Sequence, residues 1–224
     1  MPTEQPDESS AEPGLRIAFV PGVTIRKWTT RWAERHPDAP FEVLPTTEAD
    51  GVAVLRSGVT TVSFVRLPVD RDGLSVIRLY GEVPVLVVPR DSELAPRDSV
   101  TVAEVEALEG VVPYEQVTNA KDAVALVAAG VGAVRLPHSL ARLNARKDVA
   151  AIPIEGAAET EIALCWVTDE TTQTIEEFVG IVRGRTAASS RSVPTPPKER
   201  PKRATASPAR GPRRPQKRAR RQGR

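Results

Sequence analysis

Apolar and polar positions along this chain switch between two periods, and the switches predict its elements. Residues 15–20 form an apolar run of the length of a buried parallel strand. Pro21 and Gly22 break it, after which Ile25, Trp28 and Trp32 recur at helical spacing until Pro37 stops the stripe. Thr24 stands where an N-cap hydroxyl would accept from a first-turn amide. Strand, Gly-containing turn and helix start together aim backbone amides at the carboxyl edge of a sheet, a geometry that favours a small anion. An ordinary strand-to-helix joint that binds nothing fits the same residues.

Further strands are predicted at 41–44 and 60–67, with a helix over 48–56 ended by Gly58 between them. The order β-α-β-α-β is that of a parallel sheet with right-handed crossovers. Residues 74–80 and 83–88 read as two strands separated by Gly81 and Glu82, a link short enough for an antiparallel turn or for a crossing between lobes. Thr101 and Glu104 have capping-box spacing and open a helix through Val105 and Leu108 that Gly110 closes. A brief strand is expected within 111–117. Asn119 is a good N-cap for a helix carrying Val124, Leu126 and Val127 that ends at Gly130. A strand over 131–136, a helix over 139–146 and strands at 149–154 and 161–167 follow. A last helix, 172–183, carries Ile175, Phe178, Val179 and Val182 on one face.

Composition changes the picture chiefly through charge. The 224 residues carry a formal net charge of +2, which hides an asymmetry. Residues 1–182 hold 16 Lys/Arg against 28 Asp/Glu, a net −12, and residues 183–224 hold 15 against the lone acid Glu199, a net +14. An acidic body carries a basic tail. The single cysteine, Cys165, excludes an intramolecular disulfide and suits a reducing compartment. The leader, residues 1–13, is acidic and Pro-rich, which predicts disorder, with no secretory pattern, and no apolar run is long enough to span a bilayer. A cytoplasmic location without a membrane partner is expected.

Catalytic chemistry finds little footing. His36 sits at a helix end, where a charged imidazole suits the dipole. His138 and Ser139 adjoin at a strand end, but no orienting acid stands at a recognisable spacing, and a helix start explains them better than a dyad. Cys165, in the apolar stretch Ala-Leu-Cys-Trp-Val, reads as a buried inert thiol. Glu159 and Glu161 read as a solvated strand edge. No P-loop, GxGxxG or zinc-ligand pattern occurs. The expectation is a non-enzyme with no cofactor and no metal.

Four segments, LRIAFVPG with its Trp helix, LRSGVTTVSFVRLP, LYGEVPVLVVPRDSELA and AVALVAAGVGAVRLPHSLARL, resemble the effector-binding domain of LysR-type transcriptional regulators. The most specific is the last, a helix, a Gly-containing turn and a strand ending in Leu-Pro. The resemblance covers about 15–183 and implies an α/β fold of the two-lobed type 2 periplasmic-binding-protein kind. The body is expected over 14–184, with lobe I at about 15–80 and 149–184 and a reduced lobe II at about 83–137. No winged helix-turn-helix of the family's usual kind precedes the first strand, and Val59, Thr60 and Thr61 stand where many members place an Asp. By position, the resemblance implies a small-molecule cleft lined by Pro21, Gly22, Val23 and Thr24, by Arg66, Leu67 and Pro68, and by Thr118 and Asn119. Arg66 could grip a carboxylate through its bidentate guanidinium, or serve a surface salt bridge. Trp28 and Trp32 suit the core or a lobe boundary, and the family's habit of pairing through helices beside the sheet adds a homodimer contact as the alternative.

From about residue 185 the chain is Pro, Ser, Ala, Arg and Lys with almost nothing to bury, which predicts disorder. Spread positive charge, including Arg210, Arg213, Arg214, Lys217, Arg218, Arg220 and Arg221, suits nonspecific nucleic-acid contact by counterion release. Residues 209–215 resemble an AT-hook only loosely, and no aromatics interleave for base stacking. A solubilising tail is the plainer alternative. The sequence thus favours a sensor of a small, anionic effector with a nucleic-acid-contacting tail, ahead of an interaction protein with a degenerate cleft anchored by that tail.

Overall fold

The computed structural model describes residues 14–184. Readings made for the leader, 1–13, and for the basic tail, 185–224, lie outside the described residues.

The opening apolar run is β1 (Leu15–Phe19), and Trp28 and Trp32 lie on α1 (Arg26–Arg35). β1 pairs in parallel with β2 (Phe41–Pro45) on one side and β3 (Val62–Arg66) on the other, and the short α2 (Ala53–Arg56) connects them. Every residue of β3 is buried, as expected of a central strand covered on both faces. β2, paired only with β1, is mostly exposed. The expected 48–56 helix shrinks to one turn at its C-terminal end, with Gly58 at φ 70° just past its cap.

β4 (Leu74–Glu82) stays in this sheet, and β5 (Pro84–Pro89) belongs to another, so the link between them is a crossing. The second sheet also takes β6 (Val100–Thr101), β7 (Val111–Val112) and β8 (Ala133–Pro137). Its helices are α3 (Val102–Glu106), α4 (Ala120–Ala128) and α5 (His138–Leu143). β9 (Val149–Glu155) pairs with β5 and β6, which corrects the expectation that residues from 149 onward return to lobe I. The alternating burial of β9 fits a strand with one face on the lobe II core. The chain returns only with β10 (Thr160–Val167), which runs antiparallel between β3 and β4. Strand orders are β2-β1-β3-β10-β4 in lobe I and β6-β9-β5-β8-β7 in lobe II.

Two short crossings therefore join the lobes, at Val83 and at 156–159. They lie side by side: β10 begins by pairing Thr160 with Glu82 and Glu161 with Gly81. The Glu159 side chain lies over Gly81, in space a Cβ would occupy.

Lobe I is centred on aromatics. Trp28 stacks on Phe64 at 4.8 Å, and Phe178 of α6 (Gln173–Val182) meets Trp32 and Phe64 edge-on. Both tryptophans are buried in this core, so they form no exposed pairing face. Ile175, Phe178 and Val179 pack there as the stripe predicts, with Val182 partly buried against the same core and Ile181 buried beside it.

Candidate functional site

The turn after β1 carries the first predicted site residues. Val23 and Ile25 are both buried, which forces Thr24 between them outward and starts α1 one residue later than expected. Ile25 occupies the N-cap position with no side-chain cap, so the reading of Thr24 as N-cap is corrected. Thr24 instead lines cavities between the lobes. One, of about 570 Å³, is bounded by Pro21, Gly22, Val23, Thr24, Ser139 and Arg142. Its neighbour, of about 640 Å³, adds Lys27, Tyr80, Glu82 and His138. Gly22, at φ 84°, lies so close to Ser139 that a Cβ would stand 2.5 Å from Oγ. Glycine there lets the lobes touch.

A further cavity of about 640 Å³ shares Pro21, Thr46 and Leu143 with the first. Lobe I contributes Pro21, Thr46, Thr47 and Glu48, and lobe II contributes Tyr114, Thr118, Asn119 and Lys121. Asn119 caps α4 as expected, its Oδ1 accepting from the amides of Lys121 at 2.9 Å and Asp122 at 3.3 Å.

Arg66 lies at the carboxyl end of β3, and its side chain is 2% exposed. Its Nε donates to Glu82 Oε2 at 2.7 Å. Nη1 donates to Glu48 Oε1 and, at 3.5 Å, to the Tyr114 hydroxyl. Nη2 donates to the Pro21 carbonyl and to Ser139 Oγ, each at 3.2 Å. The five donors of the guanidinium thus meet five acceptors, three in lobe I and two in lobe II. The Tyr114 hydroxyl in turn donates to Glu48 Oε2. Arg66 is neither a surface salt bridge nor an open carboxylate grip; it is a buried tie between the lobes. Burial opposes its charge, but the hydrogen bond to Glu82 and the charges of Glu82 and Glu48 outweigh that and raise its pKa. Burial, then the hydrogen bond to Glu48, pushes the Tyr114 hydroxyl well above the ordinary tyrosine range.

The other residues predicted beside Arg66 lie elsewhere. Side chains of a strand alternate between faces, so Val65 and Leu67 point away from Arg66, and both pack with Leu55, Ala163 and Cys165. Leu67 is core, and Pro68 is exposed beyond the strand, outside the cavities described above. Glu48, Glu82, Tyr114 and Ser139 are the members that sequence reasoning missed as a group.

The remaining chemistry-bearing residues do not assemble. Burial pushes the Cys165 thiol up to about 12. The His36 ring stacks on Trp32 at 4.1 Å and faces Glu177 at 3.6 Å, and it lines none of the cavities described above. His138 is exposed and uses its amide to donate to the Val83 carbonyl. Among the described residues no cluster of His, Cys, Asp and Glu could hold a metal ion, and no helix is long and apolar enough to cross a membrane.

Residues 9–118 match the family model described as the LysR substrate binding domain. This is a LysR-type effector-binding fold. The BenM effector binding domain with its effector benzoate is 19% identical, with a TM-score of 0.63 over 81% of this chain and 95% of that one. The reduced form of OxyR is 19% identical, with a TM-score of 0.64 over 79% and 97%. The Corynebacterium glutamicum OxyR C206 mutant is 19% identical, with a TM-score of 0.62 over 76% of this chain. The chain spans only 62% of that last protein's length. No curated protein sequence matches the chain.

Proposed function

We propose that the LysR-type body is a small-molecule sensing domain of a cytoplasmic regulator, taking its effector between the lobes and performing no catalysis. The observation that supports this best is the cavity of about 640 Å³ lined from both lobes beside the Arg66 tie. Its size suits a metabolite. Two short crossings, this polar tie and the Gly22–Ser139 contact join the lobes, so a ligand touching both would bias their closure. Pro21, Thr118 and Asn119 supply walls and polar groups to this cavity. Gly22, Val23 and Thr24 supply them to the other two cavities, where Lys27 and Arg142 add positive charge suited to an anionic group. The tail, through Arg210, Arg213, Arg214, Lys217, Arg218, Arg220 and Arg221, would hold the protein near nucleic acid without sequence readout.

A thermal-shift screen of the full chain against a metabolite panel tests the reading. A hit should raise Tm in the wild type and fail to do so in Thr24→Phe or Thr118→Trp proteins of unchanged basal Tm. The second reading, an interaction protein whose cleft has degenerated, draws on the full occupancy of Arg66 and on the Gly22–Ser139 contact. A silent panel would favour it.

A further inference from the structure

The Arg66 site holds one more carboxylate than its charge requires. Glu82 alone neutralises the guanidinium, lies on β4 and has a side chain only 5% exposed. Glu48 differs in each respect. It lies in the irregular stretch between β2 and α2, its side chain is 37% exposed, and it borders the cavity lined by Tyr114, Thr118 and Asn119. One of its oxygens accepts from Arg66 in lobe I and the other from the Tyr114 hydroxyl in lobe II. A free carboxylate entering from the cavity would find those same two donors, one from each lobe.

We infer that Glu48 is a tethered carboxylate ligand, filling a carboxylate seat made by Arg66 and Tyr114 and holding the lobes together while no effector does. The inference rests on the sensing reading for its biological use, and on the Arg66 geometry alone for its chemistry. Arg66 already faces two negative groups, Glu82 and Glu48, so a free anion, which would be a third, is repelled while Glu48 stays in place. An entering carboxylate must take over both hydrogen bonds as Glu48 swings into solvent. Because Glu48 is part of the chain, it competes at high effective concentration and sets the threshold for any acidic effector. The exposed loop position allows that exchange, and the buried strand position of Glu82 does not.

Chemical rescue tests this directly. Glu48→Ala removes a fragment of the size and charge of acetate. Full-length Glu48→Ala protein should show a lowered Tm that acetate restores saturably, with sodium chloride at equal ionic strength as the control. Wild-type protein should need at least tenfold more acetate for the same shift. Adding Tyr114→Phe should weaken the acetate response severalfold, because half the seat is gone. Glu48→Gln, which keeps the shape, should fold like the wild type and respond to acetate less than Glu48→Ala. Equal acetate responses in wild type and Glu48→Ala, or no response in either, would overturn the inference. Rescue by acetate with a silent metabolite panel would leave Glu48 as a tethered ligand and sink the sensing reading. Panel hits without rescue would do the reverse.

Discussion

At the residue scale, a buried charge gathers partners that come from far apart in sequence. Arg66 and Glu82 form a pair with both side chains nearly fully covered. Removing one partner of such a pair strands the other, a loss of about 3–5 kcal/mol. Arg66→Met is expected to destabilise the body by that order in a denaturant titration, whereas an exposed pair such as Arg78–Glu161 should contribute under about 1 kcal/mol. An Arg66→Met protein as stable as the wild type would show that the tie carries no weight. Arg66 is legible only through the resemblance, which carries Arg66, Leu67 and Pro68 to the cleft together by position. Strand alternation turns Leu67 into the core, and Pro68 lies exposed beyond the strand. Glu48 and Tyr114 left no local signal. They are 66 positions apart, and only the meeting of the two lobes brings a loop of one to the short 3₁₀ turn of the other, Tyr114–Gln116.

At the element scale, helix starts and apolar stripes were the readable part, and tertiary burial decided the exceptions. The capping box of α3 is present in full: Glu104 N–H donates to Thr101 Oγ1 at 3.2 Å, and Thr101 N–H donates to Glu104 Oε2 at 2.7 Å. The backbone amide of Thr101, then Arg97, hold the Glu104 carboxyl down at about 2. A depressed carboxyl stabilises the fold fully above its unfolded pKa and loses that contribution as pH falls through the folded value. Acid titration followed by amide exchange should therefore show the α3 start protected at pH 5 and loosening toward pH 2. The Glu104→Gln protein should lack that dependence there, and an unchanged profile would argue against the cap. At α1 the cap reading failed because burying Val23 and Ile25 outweighs one capping hydrogen bond, about 1 kcal/mol. The stripe on that helix was right, and Trp32 joins α1 to α6 through Phe178. Trp32→Ala should cost about 3–5 kcal/mol of folding stability, read as a lowered denaturant midpoint. A loss below about 1 kcal/mol would place Trp32 outside the working core.

At the scale of the whole molecule, the β-α-β-α-β opening is legible because apolar periods and Gly/Pro stops delimit each element, whereas the two-lobed architecture is implied only by the resemblance to LysR-type effector-binding domains. What sequence could not assign was sheet membership: β9 and β10 are both apolar strands, and only their partners reveal that the chain returns to lobe I with the second. The charge division between body and tail predicts separable roles. Truncation after residue 185 should leave the body's Tm unchanged and remove polyanion binding. Seven phosphate contacts would give the full chain a slope of about −6 in log K against log salt on duplex DNA. A truncated protein that binds DNA as tightly as the full chain would refute the tail's part. The central claim is that a small molecule sits between the lobes, and native mass spectrometry of the full chain purified from its own cells tests it most directly. The account predicts a 1:1 small-molecule adduct that Thr118→Trp abolishes. A bare polypeptide mass, unchanged across a broad metabolite panel, would contradict it.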